Sequence, residues 1–552
     1  MSALARIGQV ARTLRHLRPE QALAQIVHAL RGVGAPVDLP GSTPALGVSG
    51  SAVPFPGPAA HARLEPGPQI SLLGLRVDFG NGIDWEFTRE GPLFAYHLHQ
   101  FEHARADSAD PDLRLASIVD WIRSHPRGIG WDPHPLSLRI LAWGKLLLTG
   151  GALPPDVEAR TAMRASLARQ AETLSRHLEV RLQANHLMSN LIGVVFAGLL
   201  FEGARADRWL ALHRRLEREI GRQILTDGLH EERSPMYHAL LLENLLDLLN
   251  LARAAGTRAP ASLTATLERT TGSMFDALSL LCHPDGEIAL FGDSAFGIAQ
   301  HPARLRTYAD ALGVAVGRVS ASGLLPRSGY ARLASDDFTL IASLAGPAPA
   351  HQPGHAHCDA LSFELSCGDR RVVTDTGVYE YRPGERRRLS RATASHATIE
   401  VDGREQAEIW AAHRIGGRPK VVLEAVEPGL RAVASCRSWS TPDTLHRREF
   451  AVRDRAIEIR DSLVGRRRPV RLSLPLAPGL EPRLSHDPDG ATLAHVPLSG
   501  GRRIRIALPA AADWRIDRAD CYPEFGRVVS RACLVGLSND FETGTWRFEL
   551  GE

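Results

Sequence analysis

Lysine is nearly absent from this 552-residue chain. Lys145 and Lys420 are the only two, so 63 of the 65 basic side chains are arginine. Replacement on this scale reads as genome composition rather than a functional demand for guanidinium. Cysteine is sparse too: Cys282, Cys358, Cys367, Cys436, Cys521 and Cys533 form no CxxC pair, which argues against a disulfide scaffold. No run of about 18 apolar residues occurs, so no membrane-spanning helix is expected. The formal net charge of only +3 gives no global case for nucleic acid as a partner. The first 32 residues lack an uninterrupted apolar stretch with a small-residue cleavage site, so no secretory signal is expected. That places the protein in the cytoplasm, with the periplasm as the alternative.

What is present is ordinary globular material, 44% hydrophobic and 23% charged, in a chain too long for one typical core. Residues 1–32 alternate Arg6, Arg12, Arg15 and Arg18 with Leu4, Ile7, Val10, Leu14 and Leu17. This pattern predicts an amphipathic surface helix that packs on its own domain, a membrane surface being the alternative. Residues 34–70 are rich in Pro, Gly, Ala and Ser, including Pro36, Pro40, Pro54, Pro56 and Pro58, and predict an ordered wrap or loop. Helical periodicity dominates from about 95 to 320. Asn185 to Phe201 is nearly all apolar after its first turn, so it should be buried on most sides. Ser234-Pro235 fits an N-cap and first turn for a run carrying Leu240, Leu241, Leu245, Leu248 and Leu251. After about 325 the period changes to two, as in Leu361/Phe363/Leu365, Ile399/Val401, Ile457/Ile459 and Trp546/Phe548. That predicts antiparallel strands with one buried face, and Asp402-Gly403 reads as a hairpin turn. The expected architecture is α+β and multidomain: an N-terminal segment and wrap over 1–94, a helical domain over 95–322 whose hairpins suit an (α/α) toroid, and an antiparallel β-sandwich over 323–552.

Polar residues with chemical capacity cluster at two places. Asn185, His186 and Asn190 open the apolar helix, and His186 and Asn190, four apart, share a face. They either anchor that helix or face a cleft. Tyr237-His238 lies in the first turn of the next capped helix, after His230, Glu231 and Glu232. A tyrosine serves as acid or base where a cation or developing charge lowers its pKa from about 10. In the second half, His355, His357, Asp375 and His396 fall within 42 residues, four positions of zinc-ligand type. Asp359 is an alternative ligand, and a histidine left over from the metal set is free for proton chemistry. Asp293 reads as a turn aspartate, with a site role as the alternative. Arg386-Arg387-Arg388 and Arg391 would attract a polyanion or lie solvated on a loop. Trp85, Trp121, Trp131, Trp143 and Trp410 either stack on sugar rings or fill the core.

In their order, Trp131-Asp-Pro133-His-Pro135-Leu-Ser137-Leu-Arg139, Asn185-His186-Leu-Met-Ser-Asn190, Glu232-Arg-Ser-Pro-Met-Tyr237-His238, Phe291-Gly-Asp293-Ser294, Gly354-His355-Ala-His357-Cys-Asp359, Asp375-Thr-Gly377 and Ser395-His396-Ala-Thr resemble the heparinase II/III superfamily of polysaccharide lyases. The resemblance spans most of the chain. It implies an incomplete (α/α) toroid followed by a β-sandwich, with a cleft between them. It implies β-elimination on an acidic, uronate-containing polysaccharide, a carbon–oxygen lyase reaction that leaves a 4,5-unsaturated end, with a bacterial exopolysaccharide as a candidate target. By position, Tyr237 looks like the catalytic acid/base and His355 its partner in proton transfer. Asn185 and His186, with His238 beside them, look like the groups that neutralise the uronate carboxylate. Asn190, Glu232 and Arg388 are assigned to substrate binding. His357, Asp375 and His396 look like a structural zinc set. Relatives often carry glutamate where this chain has Ser189.

The residue types suit the reaction. Removing a C5 proton needs a base near C5 and preorganised donors for charge developing on the carboxyl group, and the O4 leaving group needs an acid. Two other readings compete. One is a catalytically silent glycan-binding protein of an exopolysaccharide synthesis or export system. The other is a toroid glycoside hydrolase, which needs paired carboxylates across the cleft.

Overall fold

The computed structural model describes residues 3–31, 35–39, 41–106, 109–317 and 320–551. Residues 32–34 and Pro40 of the Pro/Gly-rich stretch lie outside the described residues. Helices run through the first half to Ala311, and antiparallel strands occupy the second half from Gly323.

The helices that build the site are Pro92–Gln100, Pro133–Leu148, Ala184–Leu200 and Pro235–Ala255. Three of them begin with proline in the first turn, where its missing N–H costs nothing. Pro235–Ala255 starts as its sequence predicts: the Ser234 hydroxyl accepts the Tyr237 N–H at 3.2 Å. Its leucines do more than form one stripe. Leu241, Leu242, Leu245, Leu246, Leu248 and Leu249 are all buried, so the helix runs through the core. Ala184–Leu200 is likewise buried on every side apart from His186. Each fully buried leucine contributes about 1.5–3 kcal/mol of transfer free energy.

The described residues of 35–39 and 41–62 are irregular, as composition predicts. The chain then enters a small antiparallel sheet, Arg63–Glu65, Gln69–Leu72 and Leu75–Asp78, which hydropathy did not reveal because the strands are only three or four residues long. The N-terminal helices Ala3–Leu14 and Pro19–Arg31 dock through polar groups. Arg12 pairs with Glu408 at 2.5 Å, Arg6 lies over Trp410, and Gln21 donates to the His351 carbonyl. The apolar stripe expected to face the protein is exposed instead, Leu4 and Leu30 each to 81%. Among the described residues no helix is long and apolar enough to cross a membrane.

The second half holds three larger antiparallel sheets. A five-stranded meander (Gly323–Leu325, Tyr330–Ala334, Phe338–Ser343, Phe363–Cys367, Arg370–Val373) faces an eight-stranded sheet containing Thr444–Arg453 and Thr543–Gly551. A four-stranded sheet includes Ile399–Val401 and Val470–Pro475. One core joins all three through Leu340, Phe363, Ile399, Phe450, Leu472 and Phe548. Asp402 and Gly403 both adopt positive φ between bridged Val401 and Arg404, the type I′ hairpin turn the dipeptide predicts. Phe363–Cys367 departs from expectation: it is buried on both faces. Its polar alternates form a seam to the helical half. Glu364 accepts from His283 Nε2 at 2.8 Å and from the backbone N–H groups of Leu290 and Asp375, and Ser366 meets His283 Nδ1 at 2.7 Å.

Candidate active site

Strained backbone delivers several of the site residues. Gln183 and Ala184 both take positive φ immediately before Asn185, and Arg233 does so before the Tyr237 helix. Gly292, φ +58°, brings its loop so close to the other half that an added Cβ would lie 2.8 Å from the His355 carbonyl. Next to it, Asp293 donates its N–H to that carbonyl at 2.9 Å.

Asp293 is the hub, which its turn-like sequence context concealed. It is fully buried. His355 Nδ1 lies 2.9 Å from Oδ2, and His357 Nε2 lies 2.8 Å from Oδ1. Arg387 grips both oxygens, at 2.8 Å to Oδ2. Burial alone would raise this carboxyl, but Arg387 and the two imidazoles hold it well below the usual carboxylate range. An ionised Asp293 makes both facing imidazole nitrogens donors. The other ring nitrogen of His355, Nε2, lies 3.6 Å from Glu232 Oε2.

Tyr237 and His355 meet although 118 positions apart: their rings stack with centroids 3.9 Å apart. The Tyr237 hydroxyl bonds the Tyr381 hydroxyl at 2.9 Å, and Arg387 lies over the Tyr381 ring. Burial pushes the Tyr237 phenol well above its ordinary range. It is therefore a neutral O–H donor in this arrangement, an acid rather than a resting base.

A second group lies on the helix Ala184–Leu200. The Asn185 N–H donates to Glu232 Oε1 at 3.0 Å, which ties it to the carboxylate beside His355. The His186 ring lies tilted against His134, centroids 4.5 Å apart, and sits 3.2 Å from Glu179. Burial lowers the affinity of His186 for its proton, but Glu179 overcomes this and raises its pKa above the ordinary imidazole value. Glu179 falls to about 2, where burial opposes and His186, His134 and Asn190 prevail.

Tyr237, Tyr381, Asn185 and His134 line a cleft of about 1050 Å³, its open mouth included, together with Tyr96, His97, Ser189, Glu243 and Asn244, while His355 and Glu232 line a separate, smaller pocket. The structure thus brings Tyr237, His355, Asn185, His186 and Glu232 together. Three other assignments fare differently. His238 is fully buried, with Nδ1 accepting the His230 N–H and Nε2 on the Met274 carbonyl, so both nitrogens are committed to backbone. Asn190 is buried on Glu179, accepting its N–H at 2.8 Å, and anchors the helix entry. Arg388 lies on the outer face of the helix Glu385–Arg391 and pairs with Glu385. The basic run divides by helical geometry, with Arg387 and Arg391 turned inward. Trp85, Trp121, Trp131 and Trp143 are core residues rather than sugar platforms.

His357, Asp375 and His396 present ligand atoms within 4.8 Å of one another. His357 spends Nε2–H on Asp293, and its Nδ1 is buried with no partner among the described residues. His396 Nδ1 lies 3.0 Å from both Asp375 oxygens. An orphaned imidazole lone pair, oriented by a carboxylate behind it and facing a second histidine and an aspartate, fits zinc. His355 belongs to the Asp293 group instead, with His413, and Asp359 is outside the set.

Family models meet this chain in both halves: Heparinase II/III N-terminus over residues 157–313, and Heparinase II/III-like, C-terminal over 317–536. The chain belongs to the heparinase II/III family. A heparin-sulfate lyase of Pedobacter heparinus is 25% identical over 373 residues, which cover 59% of this chain and 54% of that protein. The chain thus spans about half the length of the curated relative it matches. Among solved structures, a heparinase III superposes with TM-score 0.66 at 18% identity, covering 87% of this chain and 80% of the other. The heparan sulfate lyase HepC from Pedobacter heparinus superposes with TM-score 0.57 at 19% identity, with the same coverages. At these identities the likeness is one of fold.

Sequence reasoning missed Tyr381, Glu179 and His134 and read Arg387 only as part of a charged run. Tyr381 follows Asp375-Thr-Gly377 closely enough to have been a signal. His134 stands inside the Trp131–Arg139 motif, which was its signal; Glu179 carries none that one sequence displays.

Proposed function

We propose that this protein is a polysaccharide lyase that cleaves a uronate-containing glycan by β-elimination. The stacking of His355 on Tyr237, which itself lines the cavity, carries the reading, and the family relationship supports it. His355 Nε2 takes the C5 proton. The C–H electron pair becomes the C4–C5 double bond, the C4–O4 bond breaks, and O4 receives the Tyr237 hydroxyl proton. Asn185 and cationic His186 stabilise charge on the carboxyl group, work that preorganised donors do at low cost. Asp293 holds His355 in its base tautomer, with Arg387 keeping Asp293 ionised.

The helical half acts as an incomplete (α/α) toroid over 95–322 and the sheets as a β-sandwich over 323–552, with 1–94 as a leading segment and wrap. His357, Asp375 and His396 would hold a zinc ion, which when bound would brace the loop carrying His355. A role in exopolysaccharide turnover is part of the proposal.

The test is a panel of acidic polysaccharides, bacterial exopolysaccharides included, monitored for the ultraviolet absorbance of an unsaturated uronate. Absorbance that grows with wild-type protein and not with Tyr237→Phe is the expected result. Tight binding with neither absorbance nor new reducing ends would instead mark a silent glycan binder. Glu102 and Glu243 both line the cavity and favour hydrolysis as the second reading. Reducing ends without absorbance would establish it.

A further inference from the structure

Along the helix Pro235–Ala255, Leu240, Leu241 and Asn244 follow Tyr237 at spacings that share one face, and all four line the cavity. Asn244 lies about 10 Å further along the axis, far enough for another sugar ring. Glu243 and, from the helix Pro92–Gln100, Gln100 line this deep end as well. Among the described residues the side chains of Gln100, Glu243 and Asn244 make no hydrogen bond. None of their polar atoms is a sealed, unpartnered one, so they open onto the cavity, where a ligand can pair with them.

Charge is the second observation. The chain has 63 arginines, yet among the described residues that line the cavity none is arginine. The lone ammonium, Lys145, sits 2.6 Å from Asp247, whose other oxygen accepts from the Tyr308 hydroxyl. Glu102 is taken by Arg105. Burial pushes Glu243 up to about 7, with Asp247 and Glu102 adding to the rise and Lys145 opposing it. Burial also lowers His61 and His97, so neither offers a cation near neutrality. The deep end has donors and acceptors but no free positive charge.

We propose that this deep end is a subsite for an uncharged sugar, read through hydroxyl or amide groups by Gln100, Glu243 and Asn244. The substrate is then a heteropolymer in which an uncharged sugar lies near the cleaved uronate, and neither a polyuronate nor a sulfated chain. A sulfate or second carboxylate would lie against Glu102, Glu243 and Asp247, where both cations, Arg105 and Lys145, are already paired. The assignment of the uronate to the other end of the cavity rests on the lyase reading.

Binding to Tyr237→Phe protein, measured by calorimetry, tests this without turnover. Three oligosaccharides of equal length serve as probes: uronate alternating with an uncharged sugar, the same chain sulfated on that sugar, and a homopolyuronate. Both charged probes should bind at least ~10-fold more weakly than the first. Asn244→Lys should close the gap for the sulfated probe, with Gln100→Lys, on another helix, as the second variant should the first not fold. Equal or tighter binding of either charged probe overturns the subsite, and so does failure of all three to bind. Selective binding by a wild-type protein that forms no unsaturated product would overturn β-elimination and leave the subsite standing. Equally rapid lysis of the sulfated chain would do the reverse.

Discussion

His355 and His357 hang from opposite oxygens of one carboxylate. Asp293 Oδ2 holds His355 at 2.9 Å and Oδ1 holds His357 at 2.8 Å, while Arg387 grips the same group from the other side. Two imidazoles separated by one alanine are thereby sent to different work: His355 beside Tyr237, and His357 beside Asp375 and His396. Removing one member of a buried ion pair leaves the other uncompensated and typically costs about 3–5 kcal/mol. Asp293→Asn should lower the unfolding free energy by that order in denaturant melts and reduce turnover as well. A variant with the wild-type midpoint would remove Asp293 as the hub.

Tyr237→Phe separates chemistry from stability. Among the described residues the hydroxyl bonds only the Tyr381 hydroxyl, and a neutral hydrogen bond contributes about 1 kcal/mol net. The melting temperature should therefore stay close to wild type. A positioned proton donor is worth about 10²–10⁴ in rate, so kcat should fall by that factor at nearly constant KM. Turnover within a few-fold of wild type would sink the acid role. Tyr381→Phe, which only removes the partner, should cost less.

Much of this architecture is written locally. Ser234-Pro235 announces its helix, Asp402-Gly403 its turn, and the alternation around Ile457 and Trp546 its strands, because capping, positive φ and a half-buried face each leave a mark on neighbouring residues. Tyr237 and His355 are legible as candidates because histidine and tyrosine in motif context are chemically conspicuous. Asp293 is not. Its importance comes from Arg387, 94 positions later, and no local pattern records a partner that distant. Arg388 and His238 fail for a related reason: neighbours of functional residues in sequence point elsewhere once the helical turn of 100° per residue is imposed. The N-terminal helices show the limit of periodicity, which identifies an apolar stripe but not which way it faces.

His357→Ala tests the proposed zinc brace. Metal binding to a structural set adds directly to folding free energy, so the variant should lose bound zinc by elemental analysis and melt lower by on the order of 5 °C. His355→Ala should keep its zinc and lose activity. Unchanged melting and metal content in His357→Ala would count against the brace.

Acid stability should depend on Glu179. Its carboxyl titrates near 2 in the folded protein and near 4.3 in an unfolded chain. A depressed acid stabilises the fold above the unfolded value and loses that contribution as pH falls through the folded one. The wild-type protein should therefore lose on the order of 3 kcal/mol from this group between pH ~4.5 and ~2. His186, raised by the same partnership, works in the opposite sense. Its share is complete below about 6.5 and fades as pH climbs through its higher folded value. Glu179→Gln keeps the shape and removes both contributions. Its stability should be lower than wild type at pH 5–6, flatter across the acid range, and convergent with wild type near pH 2. Parallel wild-type and variant curves in denaturant melts from pH 2 to 8 would mean that the pair contributes nothing to the fold. Unchanged turnover in the same variant would remove His186 from the stabilisation of the uronate, because without Glu179 its imidazole holds its proton less tightly.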